Sequence, residues 1–222
     1  MLLQKEREDV VKYGCKMITA GLTKGTGGNI SILNRELGLM AVSPSGIDYF
    51  ETAAEDVVVM DLAGNVVDGR RKPSSEYELH RIFYVRRQDI DAVVHTHSVY
   101  ATVLATLRQP LPASSYLVAY SGLDVRCAEY ASFGTAELAE RTFDAMNQRF
   151  AVLMANHGLL AGSKDILNAF NIAEQIEYCA EMYVKARAIG DPVILDEKEM
   201  KKMIDKFSSS YGQKTEKKEL AD

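Results

Sequence analysis

The order of strand-like and helix-like segments constrains this chain more than any single motif does. Val10, Gly14, Met17 and Gly21 recur at helical spacing, so an N-terminal helix is expected to run to about residue 20 and stop at Gly21. Short runs then read as a strand pair over 29–33 and 38–43, and as a hairpin over 56–62 and 66–67 turned by Ala63-Gly64-Asn65. Helices are expected over 75–87, opened by a Pro-Ser-Ser cap, over 99–107, and over 135–147 with Thr135 as its cap. Strands are expected at 92–96, 152–155 and 159–161. The stripe Ile166, Phe170, Ala173, Ile176, Ala180 and Tyr183 makes a long helix ending at Gly190-Asp191-Pro192, and a last helix covers 197–207. This order is neither a regular βαβ alternation nor all-β. It predicts a three-layer α/β fold, a central and largely antiparallel sheet flanked by helices. Residues 1–207 are expected to form one domain, and 208–222 a flexible C-terminal tail.

With 222 residues, 47% apolar and 26% charged, the chain has enough apolar side chains for a full core and is not a disordered type. A net charge of −5 without a basic stripe argues against a nucleic-acid partner. No apolar run reaches the roughly 18 residues that span a bilayer, so no membrane partner is expected. The charged start, Met1 to Glu8, has no signal-peptide core. Cys15, Cys127 and Cys179 are far apart and form no Cys-x-x-Cys pair, so reduced thiols and a cytoplasmic location are expected.

Three of the four histidines stand where a metal site would need them. In Ala92-Val93-Val94-His95-Thr96-His97, residues i and i+2 of a strand point to one face, so both rings can reach one ion. His157 follows an apolar strand and precedes Gly158, which places it at a strand end. Three histidine ligands leave a coordination position open, as a catalytic rather than a structural site requires. A lone His-x-His strand is more often a packed pair, and that alternative stays open at this level. His80 reads as a satisfied helix histidine. Three small-residue turns, Gly25-Thr26-Gly27-Gly28-Asn29, Ser43-Pro44-Ser45-Gly46 and Pro73-Ser74-Ser75, offer backbone and hydroxyl donors suited to an anion. Ordinary turns and capping explain each one equally well.

Taken in order, Gly25-Thr26-Gly27-Gly28-Asn29-Ile30-Ser31, Ser43-Pro44-Ser45-Gly46, Pro73-Ser74-Ser75-Glu76, His95-Thr96-His97 and Asn156-His157-Gly158 resemble the class II aldolase family of sugar-phosphate aldolases and epimerases, from Gly21 to Gly190. The segments around Tyr116 and Phe133 resemble the branch that acts on L-fuculose 1-phosphate. The resemblance implies the class II aldolase and adducin-like fold, with zinc or another divalent ion, one per chain, held by His95, His97 and His157. Glu76 would be the proton-transfer base and an additional ligand before substrate arrives. Thr26, Asn29, Ser45, Gly46, Ser74 and Ser75 would hold the phosphate. Tyr116 would protonate the aldehyde oxygen, Phe133 would line the aldehyde side, and Tyr211 would close the site. The implied assembly is a homotetramer with active sites between subunits, so Tyr116 and Tyr211 would serve a neighbour.

The implied reaction cleaves a ketose 1-phosphate, L-fuculose 1-phosphate foremost, to dihydroxyacetone phosphate and an aldehyde such as L-lactaldehyde. The ion would stabilise the enediolate as a Lewis acid. A lysine Schiff base could do the same work, but Lys12, Lys164 and Lys202 read as solvated. A 4-epimerase and a dehydratase remain alternatives. The epimerase branch carries a C-terminal histidine, whereas no histidine follows His157 here. Metal-free binding modules also share the fold, but retention of the three histidines and Glu76 argues against that class.

Overall fold

The computed structural model describes residues 1–209. Eight strands form one mixed sheet in the order β4-β3-β2-β1-β5-β8-β7-β6. They are β1 (Asn29–Asn34), β2 (Leu39–Val42), β3 (Val58–Asp61), β4 (Val66–Asp68), β5 (Ala92–Thr96), β6 (Arg126–Ala128), β7 (Ala151–Met154) and β8 (Gly158–Ser163). Every pairing is antiparallel except β6 with β7.

Strand alternation divides the core between two layers of helices. On one face Val94, Ala151 and Leu153 pack with α1 (Gln4–Thr19), α3 (Val99–Thr106), α5 (Ile166–Ile189) and α6 (Glu197–Ser209). On the other, Val93, Val152 and Met154 pack with α2 (Tyr77–Arg86) and α4 (Ala136–Ala145). The three-layer expectation holds. No described helix is long and apolar enough to cross a membrane, and Cys15, Cys127 and Cys179 are free thiols.

Local rules account for most element ends. The Thr135 hydroxyl accepts from the Leu138 N–H at 3.2 Å and caps α4 as expected. Asp165 caps α5 in the same way, through the Asn168 N–H at 2.8 Å. Three short elements escaped the sequence pattern: β6, a 3-10 helix at Ala54–Asp56, and a 3-10 helix at Tyr116–Tyr120. The strand has three residues and the helices three and five, too few for a period to register.

The start of α2 also differs from expectation. The helix begins at Tyr77 rather than at residue 75, and Glu76 occupies the N-cap position without making a side-chain cap. Instead the Ser74 hydroxyl accepts from the Glu76 N–H at 3.2 Å, in a turn before the helix. The Glu76 carboxylate is thereby free to turn inward. At the other end of the chain, α6 continues through Ser209, two residues past the expected boundary at 207. The rest of the expected tail, with Tyr211, lies outside the described residues.

Candidate metal centre and active site

β5 carries His95 in its last rungs, with His97 just beyond the strand. The neighbouring β8 begins at Gly158, so the turn before it delivers His157 to the same sheet end. Asn156 makes that turn with a left-handed backbone, φ 56, which asparagine tolerates. Its N–H donates to the Ala105 carbonyl at 2.9 Å, and its Oδ1 accepts from Arg108 Nε at 3.1 Å. The turn is thus tied to the end of α3.

The ligand atoms of His95, His97 and His157 lie within 4.8 Å of one another. Ring centroids are 4.8 Å apart for His95 with each of the others, and 5.3 Å for His97 with His157. His95 Nδ1 lies 2.9 Å from the Leu159 carbonyl, which can only accept, so Nδ1 bears the proton and Nε2 presents a lone pair. That Nε2 is 3.0 Å from His97 Nε2. Burial, reinforced by His157 and His97, holds His95 well below the ordinary histidine range. Burial and then His157 lower His97 as well. Both rings are therefore neutral, as metal ligation requires.

Glu76 closes the cluster. Its Oε2 is 3.4 Å from His95 Nε2, and its Oε1 is 3.4 Å from His157 Nε2. Oε2 accepts from Asn29 Nδ2 at 2.9 Å, whereas the buried Oε1 has no hydrogen-bond partner. Buried carboxylate oxygens are normally satisfied. Three imidazoles around an orphaned carboxylate oxygen are the donor set that a divalent cation completes. The residues fit the ion that the sequence implies.

The small-residue turns converge here. A Cβ on Gly27 would stand 2.9 Å from His97 Nδ1, so the Thr26 turn passes directly over that ring. Segments 43–45 and 72–74 run side by side: the Ser45 N–H donates to the Lys72 carbonyl at 3.0 Å, and the Ser74 N–H to the Ser43 carbonyl at 2.9 Å. Ser74 is buried beside Glu76, while Thr26, Ser45, Gly46 and Ser75 are exposed. A Cβ on Gly134 would stand 3.0 Å from the Ser75 carbonyl, which brings the Phe133 segment against this turn.

A cavity of about 320 Å³ opens beside the histidines, lined by Glu76, His97, Tyr130, Ala131, Phe133 and the Asn156-His157 turn. Phe133 is 71% exposed at its rim. Tyr116 is not among the lining residues; it stands on the 3-10 helix, half exposed, with its ring 6.3 Å from that of Phe207. A larger cavity, about 500 Å³, lies between Phe150, Ser163 and α6 and is lined by none of the candidate residues.

Asn29, expected among the phosphate donors, directs its side chain inward: its Nδ2 donates to Glu76 and its Oδ1 faces His80 Nε2 at 2.5 Å. His80 is a satisfied, fully buried histidine as expected, yet its partner is the residue that holds Glu76. Sequence reasoning missed that link. The signal was there, in a histidine four residues after Glu76 and a polar Asn29 and Ser31 alternating with apolar Ile30 and Ile32.

Comparison with known proteins gives the family and the fold. The profile of the Class II Aldolase and Adducin N-terminal domain matches residues 8–184. A 5-deoxy-D-ribulose 1-phosphate aldolase of Bacillus thuringiensis is 57% identical over 96% of this chain and 100% of its own. An L-fuculose phosphate aldolase of Escherichia coli O6:H1 is 37% identical over 96% and 98%. A solved structure titled L-fuculose 1-phosphate aldolase superposes with a TM-score of 0.91 at 55% identity, covering 92% of this chain and 96% of that one.

Proposed function

Because the chain belongs to the class II aldolase family, as a metal-dependent aldehyde-lyase, we propose that it cleaves a ketose 1-phosphate with a deoxygenated terminus between C3 and C4. The products are dihydroxyacetone phosphate and a short aldehyde. The observation that carries this reading is the buried Glu76 carboxylate, with one oxygen unpartnered, set against three histidines.

His95, His97 and His157 would hold the divalent ion, zinc by the histidine set, with Glu76 beside them. When bound, the ion supplies Lewis-acid stabilisation of the negative charge that bond cleavage leaves next to the ketone. Glu76 exchanges the proton at C3, beside the ketone carbon. Its oxygen faces the cluster and its other oxygen is steadied by Asn29. Thr26, Ser45, Gly46, Ser74 and Ser75 bind the phosphate with neutral donors. The Ser74 hydroxyl, which already accepts from the Glu76 N–H, keeps its own proton to donate. In the condensation direction Glu76 takes the C3 proton of dihydroxyacetone phosphate, and C3 bonds to the aldehyde carbon. The Tyr116 phenol, the residue we assign there, gives its proton to the aldehyde oxygen that becomes the C4 hydroxyl. Cleavage is the reverse, with the C4 proton passing to the Tyr116 phenolate and protonated Glu76 returning a proton to C3. Tyr116 does not line the cavity of its own chain, so its role requires a second subunit, in keeping with a homotetramer whose sites lie between subunits. Tyr211 is assigned to closing that shared site.

Tyr130, Ala131 and Phe133 give the aldehyde side an apolar wall, which suits a terminal methyl group rather than a hydroxymethyl group. Both relatives' names describe such sugars. We rank 5-deoxy-D-ribulose 1-phosphate first, because the relative named for it is 57% identical along its whole length. L-Fuculose 1-phosphate is the second reading, favoured by the 55% identical structure. Metal-loaded protein should release dihydroxyacetone phosphate from one or both, and not from the unphosphorylated sugars. No release from any ketose 1-phosphate would overturn the proposal.

A further inference from the structure

Glu76, His80 and Tyr84 follow one another at i, i+4 and i+8, along one face at and within α2. Asn29 and Ser31 share one face of β1 at i and i+2. The two rows interlock in the interior: Glu76 is 6% exposed, Asn29 4%, Tyr84 1%, and His80 and Ser31 are fully buried. Asn29 Nδ2 reaches Glu76 Oε2 at 2.9 Å, and Asn29 Oδ1 lies 2.5 Å from His80 Nε2. His80 Nδ1 lies 2.7 Å from Ser31 Oγ, which lies 2.5 Å from the Tyr84 hydroxyl.

The chemistry of these groups fixes the direction of every bond. A carboxylate only accepts, so Asn29 presents its N–H to Glu76 and its oxygen to His80. That oxygen also only accepts, so His80 carries its proton on Nε2. Burial pushes His80 down to about 3, so the ring is neutral and its Nδ1 is an acceptor. The Ser31 hydroxyl must then donate to Nδ1, and the single Tyr84 proton is shared between Ser31 Oγ and the Ser31 carbonyl, which accepts from it at 2.9 Å. All the protons point one way, toward Glu76.

We propose that His80 is a positioning residue of the active site, whose Nε2–H locks the Asn29 amide and thereby holds the Glu76 carboxylate in one orientation against the histidine triad. The inference rests on the reading of Glu76 as the proton-transfer base, and goes beyond it by assigning a fully buried chain of side chains to that base. A merely structural histidine would need partners but no particular proton direction.

The test compares His80→Asn with His80→Gln in metal-loaded protein. A glutamine amide sits near the place of Nε2 and restores the donor to Asn29, whereas an asparagine amide sits near Nδ1 and reaches only Ser31. His80→Asn should slow solvent proton exchange into dihydroxyacetone phosphate about 10- to 100-fold, the usual cost of losing an outer-shell partner, with KM little changed. His80→Gln should recover most of that loss. Exchange at the wild-type rate in His80→Asn, or no recovery in His80→Gln, would overturn the proposal. Imidazole ¹⁵N spectra of the wild-type holoprotein give a readout that needs neither turnover nor a folded variant. The expected ring has a protonated Nε2 and a bare Nδ1 at His80; the reverse tautomer refutes the chain. Wild-type protein that shows neither exchange nor cleavage would instead remove the aldolase reading, and with it the base that His80 positions.

Discussion

Gly158 is where the active site leaves no room for a side chain. It opens β8 directly after His157, and its neighbour Leu159 pairs with Thr96 of β5. A Cβ built on Gly158 would overlap the Thr96 carbonyl oxygen and stand 3.2 Å from His97 Cδ2 and 3.3 Å from His95 Cε1. Carbon and carbonyl oxygen normally keep about 3.3 Å or more, so in Gly158→Ala the backbone of one strand must shift. The backbone of Gly158 is not in the left-handed region, so the penalty is one of space alone. Overpacking a well-filled site costs about 1–3 kcal/mol, and one buried backbone group left unpaired adds about 1–3 kcal/mol. The expected loss is about 2–6 kcal/mol from these terms.

Gly162, four residues along the same strand, is the control. A Cβ there meets the Ile90 side chain at 3.1 Å and Met146 Cε at 3.5 Å, side-chain carbons that can give. Its overpacking cost of about 1 kcal/mol is offset by about 0.4–1 kcal/mol from restricting the unfolded chain. Urea denaturation of chelated protein isolates this comparison from metal binding. Gly158→Ala should unfold at much lower urea than Gly162→Ala, and the loaded variant should bind the ion more weakly because both flanking rings are pushed. Equal midpoints, or wild-type metal affinity in Gly158→Ala, would refute the packing argument.

His157→Ala should weaken zinc binding by more than about 100-fold, beyond the range for outer-shell partners; unchanged affinity in a chelator competition would remove His157 from the ligand set. Glu177 of α5 accepts from the Tyr100 and Ala101 N–H groups at 2.8 Å each, at the start of α3 just after His97. Glu177→Ala should therefore lose about 1.5–3 kcal/mol, the range for hydrogen bonds to a charged group, with Glu177→Gln losing less, both measured by denaturant midpoint. Burial pushes His80 down to about 3, below the ordinary histidine value of 6.5, so the unfolded chain binds the extra proton between those pH values. Its contribution to stability is present above pH 6.5 and is lost as pH falls toward 3. The pH slope of stability across that window should be shallower in chelated His80→Gln than in chelated wild type, and an equal slope would show that His80 is not held neutral by burial.

Local rules made much of this protein legible before any coordinates. The common face of His95 and His97 needed only the two-residue period of a strand, and the strand-end place of His157 only an apolar run ending at a glycine, whereas their reading as one ligand set came from the family resemblance. The long stripe of α5 and the Thr135 cap likewise depend on spacing within a few residues. Tertiary structure decided what spacing cannot carry. The start of α2 moved to Tyr77 because the Glu76 carboxylate turns toward His95, His157 and Asn29 instead of capping its own helix. The side-chain partners of Asn29 were not legible from its glycine-rich turn: the alignment of β1 beside β5 sets it opposite His95, and its amide meets Glu76 and His80. The direction of the hydrogen bonds from Tyr84 to Glu76 exists only once β1 and α2 are packed, since each proton's place depends on a neighbour some 50 positions away in the chain. Periodicity records which face a residue takes. Which group meets it there is a nonlocal contact, set by how the strands align and where the helix comes to rest.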